Sequence, residues 1–329
     1  MSNTVKTGVL LVNTGTPTAP QPRAVRHFLR RFLGDPRVVE LPRWVWLPLL
    51  NLVILPLRSR RSARNYQRIW TDAGSPLAVF SQRVQVALQS WLQHQQPGSY
   101  LVEQSYLYAN PTVPEAVDKL RGAGVARLVV LPMYPQCSGT TTGAVYDQVS
   151  AVMSRRREMP ELRLIADYHA DAGYIDALAN SVREHWAAQG QGHLLISFHG
   201  IPQALVQQGD AYERHCRSTA RLAAAALQLG VADWTLGFQS RFGGAKWLEP
   251  ATDATLRRLG ASGIGRIDVL CPGFAVDCLE TLEEIAITGR EIFLHAGGKR
   301  LDYIPCLNDR ADHVAALGRL ITATPDRQV

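Results

Sequence analysis

The chain has little that would staple a fold or anchor it. Its five cysteines (Cys137, Cys216, Cys271, Cys278 and Cys306) are odd in number, and no two form a C-x-x-C. That argues against a disulfide framework and a structural zinc knuckle, and a reducing, cytoplasmic setting is expected. The apolar stretch 44–57 has fourteen residues and is broken by Pro48 and Pro56, well short of the roughly 20 needed to span a bilayer. The N-terminal segment MSNTVKTGVLLVNTGTP lacks the apolar region and cleavage site of a signal peptide. No internal repeat, low-complexity tract or long Pro/Gly linker stands out. Gly122-Ala-Gly124 and Gly139-x-x-x-Gly143 give neither G-x-G-x-x-G nor a Walker lysine, so these glycines read as turn residues. Ser197 and Ser240 have no hydrolase elbow around them, which argues against a serine nucleophile.

What is present is a soluble globular composition. The chain has 329 residues, 46% hydrophobic and 19% charged; at roughly 150 residues per domain this suggests two domains. Net charge is +7, but its distribution is uneven. Residues 1–68 hold 12 Lys and Arg against Asp35 and Glu40, a net of +10; the remainder carries 23 basic and 26 acidic groups, a net of −3. A basic N-terminal region implies an anionic partner. No nucleic-acid motif accompanies it, so no nucleic-acid partner is expected. Within the basic region, segment 43–61 places Arg43 before the apolar stretch and Arg58, Arg60 and Arg61 after it. Two readings stand: a buried helix or lid, or an apolar lip touching anionic lipid through its arginine flanks.

Along the chain, short apolar runs end in polar or glycine-rich turns and are followed by helical patterns. Strands are predicted at 8–12, 101–108, 127–133, 162–168, 193–198, 234–238 and 267–271, with helices at 76–95, 112–122, 144–159, 172–189, 210–229 and 250–260. This alternation predicts an α/β fold with two parallel sheets flanked by helices. The predicted domains are 1–140 and 141–310, with a final helix at 311–329 packing back on the first. Ligands in such folds bind beyond the carboxyl ends of the strands. The candidates are therefore Asn13, Thr14, Tyr134, Ser138, His199, Gln239, Ser240, Arg241 and the segment after Pro272.

His199 closes the strand LISF and opens HGIP, a turn that displays an imidazole at a sheet edge. A second candidate lies in PGFAVDCLETLEEI (272–285). Asp277 as N-cap with Glu280 at N3 reads as a capping box, with Glu283 a solvated neighbour. Glu280 and Glu284 also stand at i, i+4, and like charges on one face are unfavourable unless a cation or proton lies between them. Both readings stand. A histidine with a carboxylate cluster suits a divalent metal handled in passing rather than stored.

At these residues the sequence resembles the ferrochelatase family, in its Gram-negative bacterial form. The resemblance rests on GVLLVNTGTP, AGSPL (73–77), LPMYPQCSGTTTGAV, LISFHGIP, GFQSRFG with WLEPATD, and PGFAVDCLETLEEI, and covers nearly the whole chain. It implies two similar Rossmann-like domains of the class II chelatase type around a porphyrin cleft. It implies an enzyme, a lyase, that inserts Fe²⁺ into protoporphyrin IX at the end of haem synthesis. His199 and Glu280 match the family's catalytic pair, and Glu284 an acidic position extending a metal or proton path. Tyr134, Trp247, Arg68, Ser75 and Thr14 fall on positions lining or approaching the porphyrin, and 44–57 on an apolar mouth that meets the membrane. Thr14, Leu107, Cys137 and Gly139 depart from the usual residues. No [2Fe–2S] cluster is expected, since the last cysteine is Cys306. The alternatives are a chelatase for coproporphyrin, cobalt or nickel, or a non-catalytic porphyrin or haem carrier.

Overall fold

The computed structural model describes residues 6–157 and 159–323. The first half runs β1 (Thr7–Asn13), α1 (Pro22–Leu33), α2 (Arg43–Leu49), a π-helical turn at Leu50–Ile54, α3 (Leu55–Ile69), α4 (Pro76–Gln95), β2 (Tyr100–Tyr106), α5 (Val113–Gly122), β3 (Arg127–Pro132), α6 (Thr142–Met153) and β4 (Glu161–Leu164). The second half runs α7 (Ala172–Gln189), β5 (His193–His199), α8 (Gln203–Gln207), α9 (Tyr212–Ala226), β6 (Trp234–Gln239), α10 (Thr252–Ala261), β7 (Arg266–Leu270), α11 (Leu279–Leu282), a π-helical segment at Glu284–Gly289, α12 (Arg290–His295), β8 (Arg300–Ile304) and α13 (Ala311–Thr322).

The strands form two parallel four-stranded sheets, ordered β2-β1-β3-β4 and β6-β5-β7-β8. Each half thus places its first strand between its second and third. The register aligns Val9 with both Val102 and Val129 in the first sheet. In the second, Ile196 aligns with both Leu236 and Leu270. The predicted boundary at 140 needs correction, because β4 pairs with β3 and α6 packs on the first sheet. The first sheet therefore closes at Leu164. Strand β8 was not predicted, and the helix expected at 144–159 ends at Met153.

Both faces of each sheet are covered, so successive strand residues are apolar on either side. On one face, Val9, Leu11, Val129 and Leu131 share a single cluster with Leu194, Ile196, Phe198 and Leu270. Helices α4, α7, α9 and α13 complete that cluster, which joins the two halves through a common core. The outer face of the first sheet (Leu10, Val12, Leu128, Val130) is covered by α1, α3, α5 and α6. The outer face of the second (Leu195, Ile267, Val269) is covered by α10 and α12. Helix α13 lies against α4, where Gly318 faces Trp91 so closely that any Cβ would collide with the indole. Residues 324–329 of the predicted 311–329 helix lie outside the described residues.

Candidate active site

In an open parallel sheet the crevice opens where the strand order reverses, beyond the carboxyl ends. Here that point lies between β1 and β3 in one sheet and between β5 and β7 in the other. The first is closed by Thr14 Oγ1 and Tyr134 Oη, which share a hydrogen bond of 2.7 Å. Burial pushes the Tyr134 hydroxyl well above the usual tyrosine range, against the Thr14 bond, so it stays protonated and can donate. Beside this pair, buried Ser75 binds Thr16 at 2.7 Å.

The second switch point carries His199, the last residue of β5. Its Nδ1 lies 2.6 Å from the Gly200 carbonyl oxygen. A carbonyl can only accept, so Nδ1 carries a proton, and in the neutral ring Nε2 carries the lone pair. Glycine is required at 200: a Cβ there would stand 2.8 Å from the Gln239 carbonyl and 3.3 Å from Trp247. Trp247 is buried, and its Nε1–H donates to the Phe242 carbonyl at 2.9 Å. Phe274 meets the imidazole edge-on with centroids 6.3 Å apart.

Buried Gln239 fastens the acidic segment to these strands. Its Oε1 accepts from Ser197 Oγ at 2.9 Å, and its Nε2 donates to the Glu280 carbonyl at 2.8 Å. The next residue, Ser240, sits at φ 66°, in the left-handed region. From there its backbone N and Oγ both donate to the Glu284 carboxylate, at 2.6 and 2.5 Å. Burial raises the Glu284 carboxyl above the usual carboxylate range, opposed by the Ser240 bonds and His199 and reinforced by Glu280. Glu284 thus feels both other members of the predicted trio. They do not form a tight cage: among the described residues, the clusters with three donor atoms within 4.8 Å of one another omit all three.

The capping-box reading of Glu280 is corrected. Cys278 is the N-cap of α11 and Thr281 its N3 partner, through a Cys278 N–H to Thr281 Oγ1 bond of 3.0 Å. Asp277 is buried, accepting from Thr281, Tyr303 and Asn308. Glu283 is corrected too. It is not solvated but 7% exposed at the side chain, paired with Arg68 at 2.7 Å and bonded by Asn65 and Thr288. Arg68 also reaches Glu291 at 3.0 Å. These bonds, with Leu279 and Leu282 packed on the first-half core, dock α11 onto α3 across the two halves. Sequence reasoning placed Arg58 on the outer flank of the apolar segment. The fold turns it inward, 5.0 Å from the Phe242 ring. Burial lowers its guanidinium below the usual value, opposed by Glu280. Its only sequence signal is its place directly after the run ending at Leu57.

A ferrochelatase family model matches residues 6–324. The chain belongs to the ferrochelatase family. The ferrochelatase of Thioalkalivibrio sulfidiphilus is 50% identical over 315 residues, covering 95% of this chain and 85% of that one. The ferrochelatase of Aeromonas hydrophila is 50% identical over 319 residues, covering 97% and 98%. Among solved structures, SirB from Bacillus subtilis with Fe³⁺ matches with a TM-score of 0.57 at 12% identity, over 96% of this chain and 94% of that one. CbiX, described as the terminal enzyme of sirohaem biosynthesis in denitrifying bacteria, matches with a TM-score of 0.51 at 14% identity, over 96% and 100%. At such identities these two establish the class II chelatase fold alone. Thr14 bonds Tyr134, and Leu107 is buried in the core.

Proposed function

We propose that this ferrochelatase-family enzyme inserts Fe²⁺ into protoporphyrin IX, releasing two protons, with His199, Glu280 and Glu284 as its working groups. The observation that carries the reading is His199 at the β5/β7 switch point, with its Nδ1 proton committed to Gly200 and its Nε2 lone pair available. Insertion requires a pyrrole lone pair to leave the ring plane, two N–H protons to depart and water to leave the iron. Nε2 takes a pyrrole proton or meets the incoming Fe²⁺. Glu284, with its pKa raised, accepts a proton more readily than an ordinary surface carboxylate and passes it outward beside Ser240. Glu280 supplies negative charge near both. Walls from Tyr134, Trp247, Ser75 and Thr14 grip the macrocycle, and binding energy on the order of 1–5 kcal/mol bends it. Arg68 acts from the rim, holding α11 in place through Glu283. The test mixes protein, protoporphyrin IX and Fe²⁺ anaerobically and follows the absorption spectrum. Haem bands growing over many turnovers are expected, and His199→Ala retains porphyrin binding without metalation. Turnover retained in that variant overturns the assignment. Binding without metalation by the unaltered protein points to a carrier, and preference for coproporphyrin or Co²⁺ to another chelatase.

The same reading gives the 43–61 segment a peripheral membrane role. No described helix is long and apolar enough to cross a membrane. Trp46, Leu50 and Leu55 enter the core, while Trp44, Leu52 and Leu57 are 81%, 76% and 72% exposed. Arg43 is spent on the Gly34 and Val39 carbonyls and Arg58 on the cleft, leaving Arg60 and Arg61 exposed beside that apolar face. An interfacial lip with cationic flanks prefers anionic lipid, at about 1 kcal/mol per arginine near the surface. Sedimentation with anionic but not neutral vesicles is expected, and Leu52→Ser with Leu57→Ser abolishes it; equal sedimentation with both vesicles refutes the charge argument.

A further inference from the structure

We propose that Asp167, His169 and His215 form a second divalent-metal site, outside the cleft, selective for a first-row transition metal of borderline softness. Asp167 and His169 lie on the loop after β4, and His215 on α9 of the other half. One donor atom from each falls within 4.8 Å of the others. The imidazoles are stacked, with centroids 3.7 Å apart and planes 7° from parallel. Parallel rings aim their nitrogen lone pairs side by side, so a shared ion requires one imidazole to rotate out of the stack; two nitrogens each about 2.1 Å from a tetrahedral ion lie about 3.4 Å apart, close to the present ring spacing.

The donors are also in suitable states. Asp167 Oδ1 and His169 Nδ1 are 2.5 Å apart, a hydrogen bond that an ion held by both side chains replaces. His215 Nδ1 faces the Cys137 amide at 3.3 Å. An amide only donates, so this nitrogen holds a lone pair, and the long bond leaves it open to competition from a cation. The donor loop is fixed before any ion arrives. Thr219 Oγ1 donates to the His169 carbonyl at 2.8 Å, and the Tyr168 amide to the Pro135 carbonyl at 3.0 Å. The other such cluster, His185, Asp268 and Asp302, differs in kind. There the Arg266 guanidinium already lies 3.1 Å from Asp268 and 2.9 Å from Asp302 and supplies the cation. Among the described residues, no arginine bridges the His169–His215 donors in this way. Asp210 lies close enough to act on His215, as does Arg214 in the opposite sense. The Asp210 carboxylate is occupied by Ser138, Gly139 and the Tyr212 amide. Two imidazoles and one carboxylate favour Zn²⁺, Co²⁺ or Fe²⁺ over Mg²⁺ or Ca²⁺. An ion there would clamp the loop after β4 to α9.

This site does not depend on the haem reading, and its test removes the cleft from the measurement. Metal-free His199→Ala protein is titrated with Co²⁺, following d–d absorption and equilibrium dialysis. One Co²⁺ per chain is expected, undiminished by excess Mg²⁺. Adding His169→Gln, a change at a partly buried position, weakens Co²⁺ binding at least tenfold, and His215→Ala does the same. Circular dichroism and thermal unfolding without metal establish that each variant is folded. Zn²⁺ raises the midpoint of the parent and not of the His169→Gln protein. The proposal fails if His199→Ala binds no Co²⁺, if Mg²⁺ displaces it, or if folded His169→Gln binds it as the parent does.

Discussion

Removing one hydroxyl beside Glu284 should move the pH dependence of metal insertion in a calculable direction. Glu284 receives two hydrogen bonds from Ser240, one from the backbone N and one from Oγ. Both favour the ionised carboxylate and oppose the effect of burial. Ser240→Ala removes only the second. A hydrogen bond to a charged group contributes about 1.5–3 kcal/mol. Because Glu284 is half-buried and water partly replaces the hydroxyl, the lower end applies. At 1.36 kcal/mol per pH unit, the Glu284 pKa rises by about one unit.

The sign follows directly. Loss of a bond to the charged form raises a carboxyl pKa, so Glu284 accepts its proton at higher pH. The acid limb of the rate profile moves upward by about one unit, while the rate well above it is unchanged. Ser240→Gly separates this from backbone effects. It removes the same hydroxyl while relieving the left-handed backbone at φ 66°. Both variants should share the shifted limb, and the glycine variant should be the more stable. The assay is initial-rate Fe²⁺ insertion across pH, under anaerobic conditions, with saturating porphyrin. An acid limb unmoved in both variants, with activity intact, would remove Glu284 from the proton path.

Two stability outcomes follow from the same region. Arg68→Ala strands the Glu283 carboxylate, 7% exposed, with Asn65 and Thr288 alone. The loss is discounted because Arg68 is 39% exposed; about 2 kcal/mol is expected by urea unfolding, with much of it recovered in Arg68→Ala/Glu283→Gln. An unchanged midpoint would show that this pair does not dock α11. His313 is fully buried, donates from Nδ1 to the Asn308 carbonyl, and has its pKa lowered by burial to about 4. The unfolded chain takes up this proton below about pH 6.5 and the folded one only near 4, so stability falls as pH drops through that window, by about 3 kcal/mol in all. His313→Leu should flatten the slope there, and an unaltered slope would refute the assignment.

The architecture was legible because the strands are buried on both faces and end abruptly in turns: His193–His199 and Arg127–Pro132 lie within a residue of their predicted limits. What escaped prediction depends on pairing across long distances. Strand β4, ELRL, is half-exposed and only four residues long, so nothing local says that it pairs with β3 rather than opening the second sheet. Strand β8, RLDYI, mixes charge into an edge position and lacks the apolar run that marked the others.

The site divides in the same way. The place of His199 at the end of β5 could be read because strand, histidine, glycine and proline are contiguous, and the nearness of Glu284 to Glu280 because they stand four residues apart. Glu283 could not be read correctly, since a glutamate on a short helix defaults to solvent unless another segment covers it. That segment is α3, more than two hundred residues earlier, bringing Asn65 and Arg68. Arg58 was misplaced for the converse reason: a lip arginine and a cleft arginine have the same sequence surroundings, and only the approach of Phe242 from the other half distinguishes them. Residues whose surroundings lie within a few positions could be read from sequence. Those completed by the opposite half required the fold, and they gather where α3 meets α11.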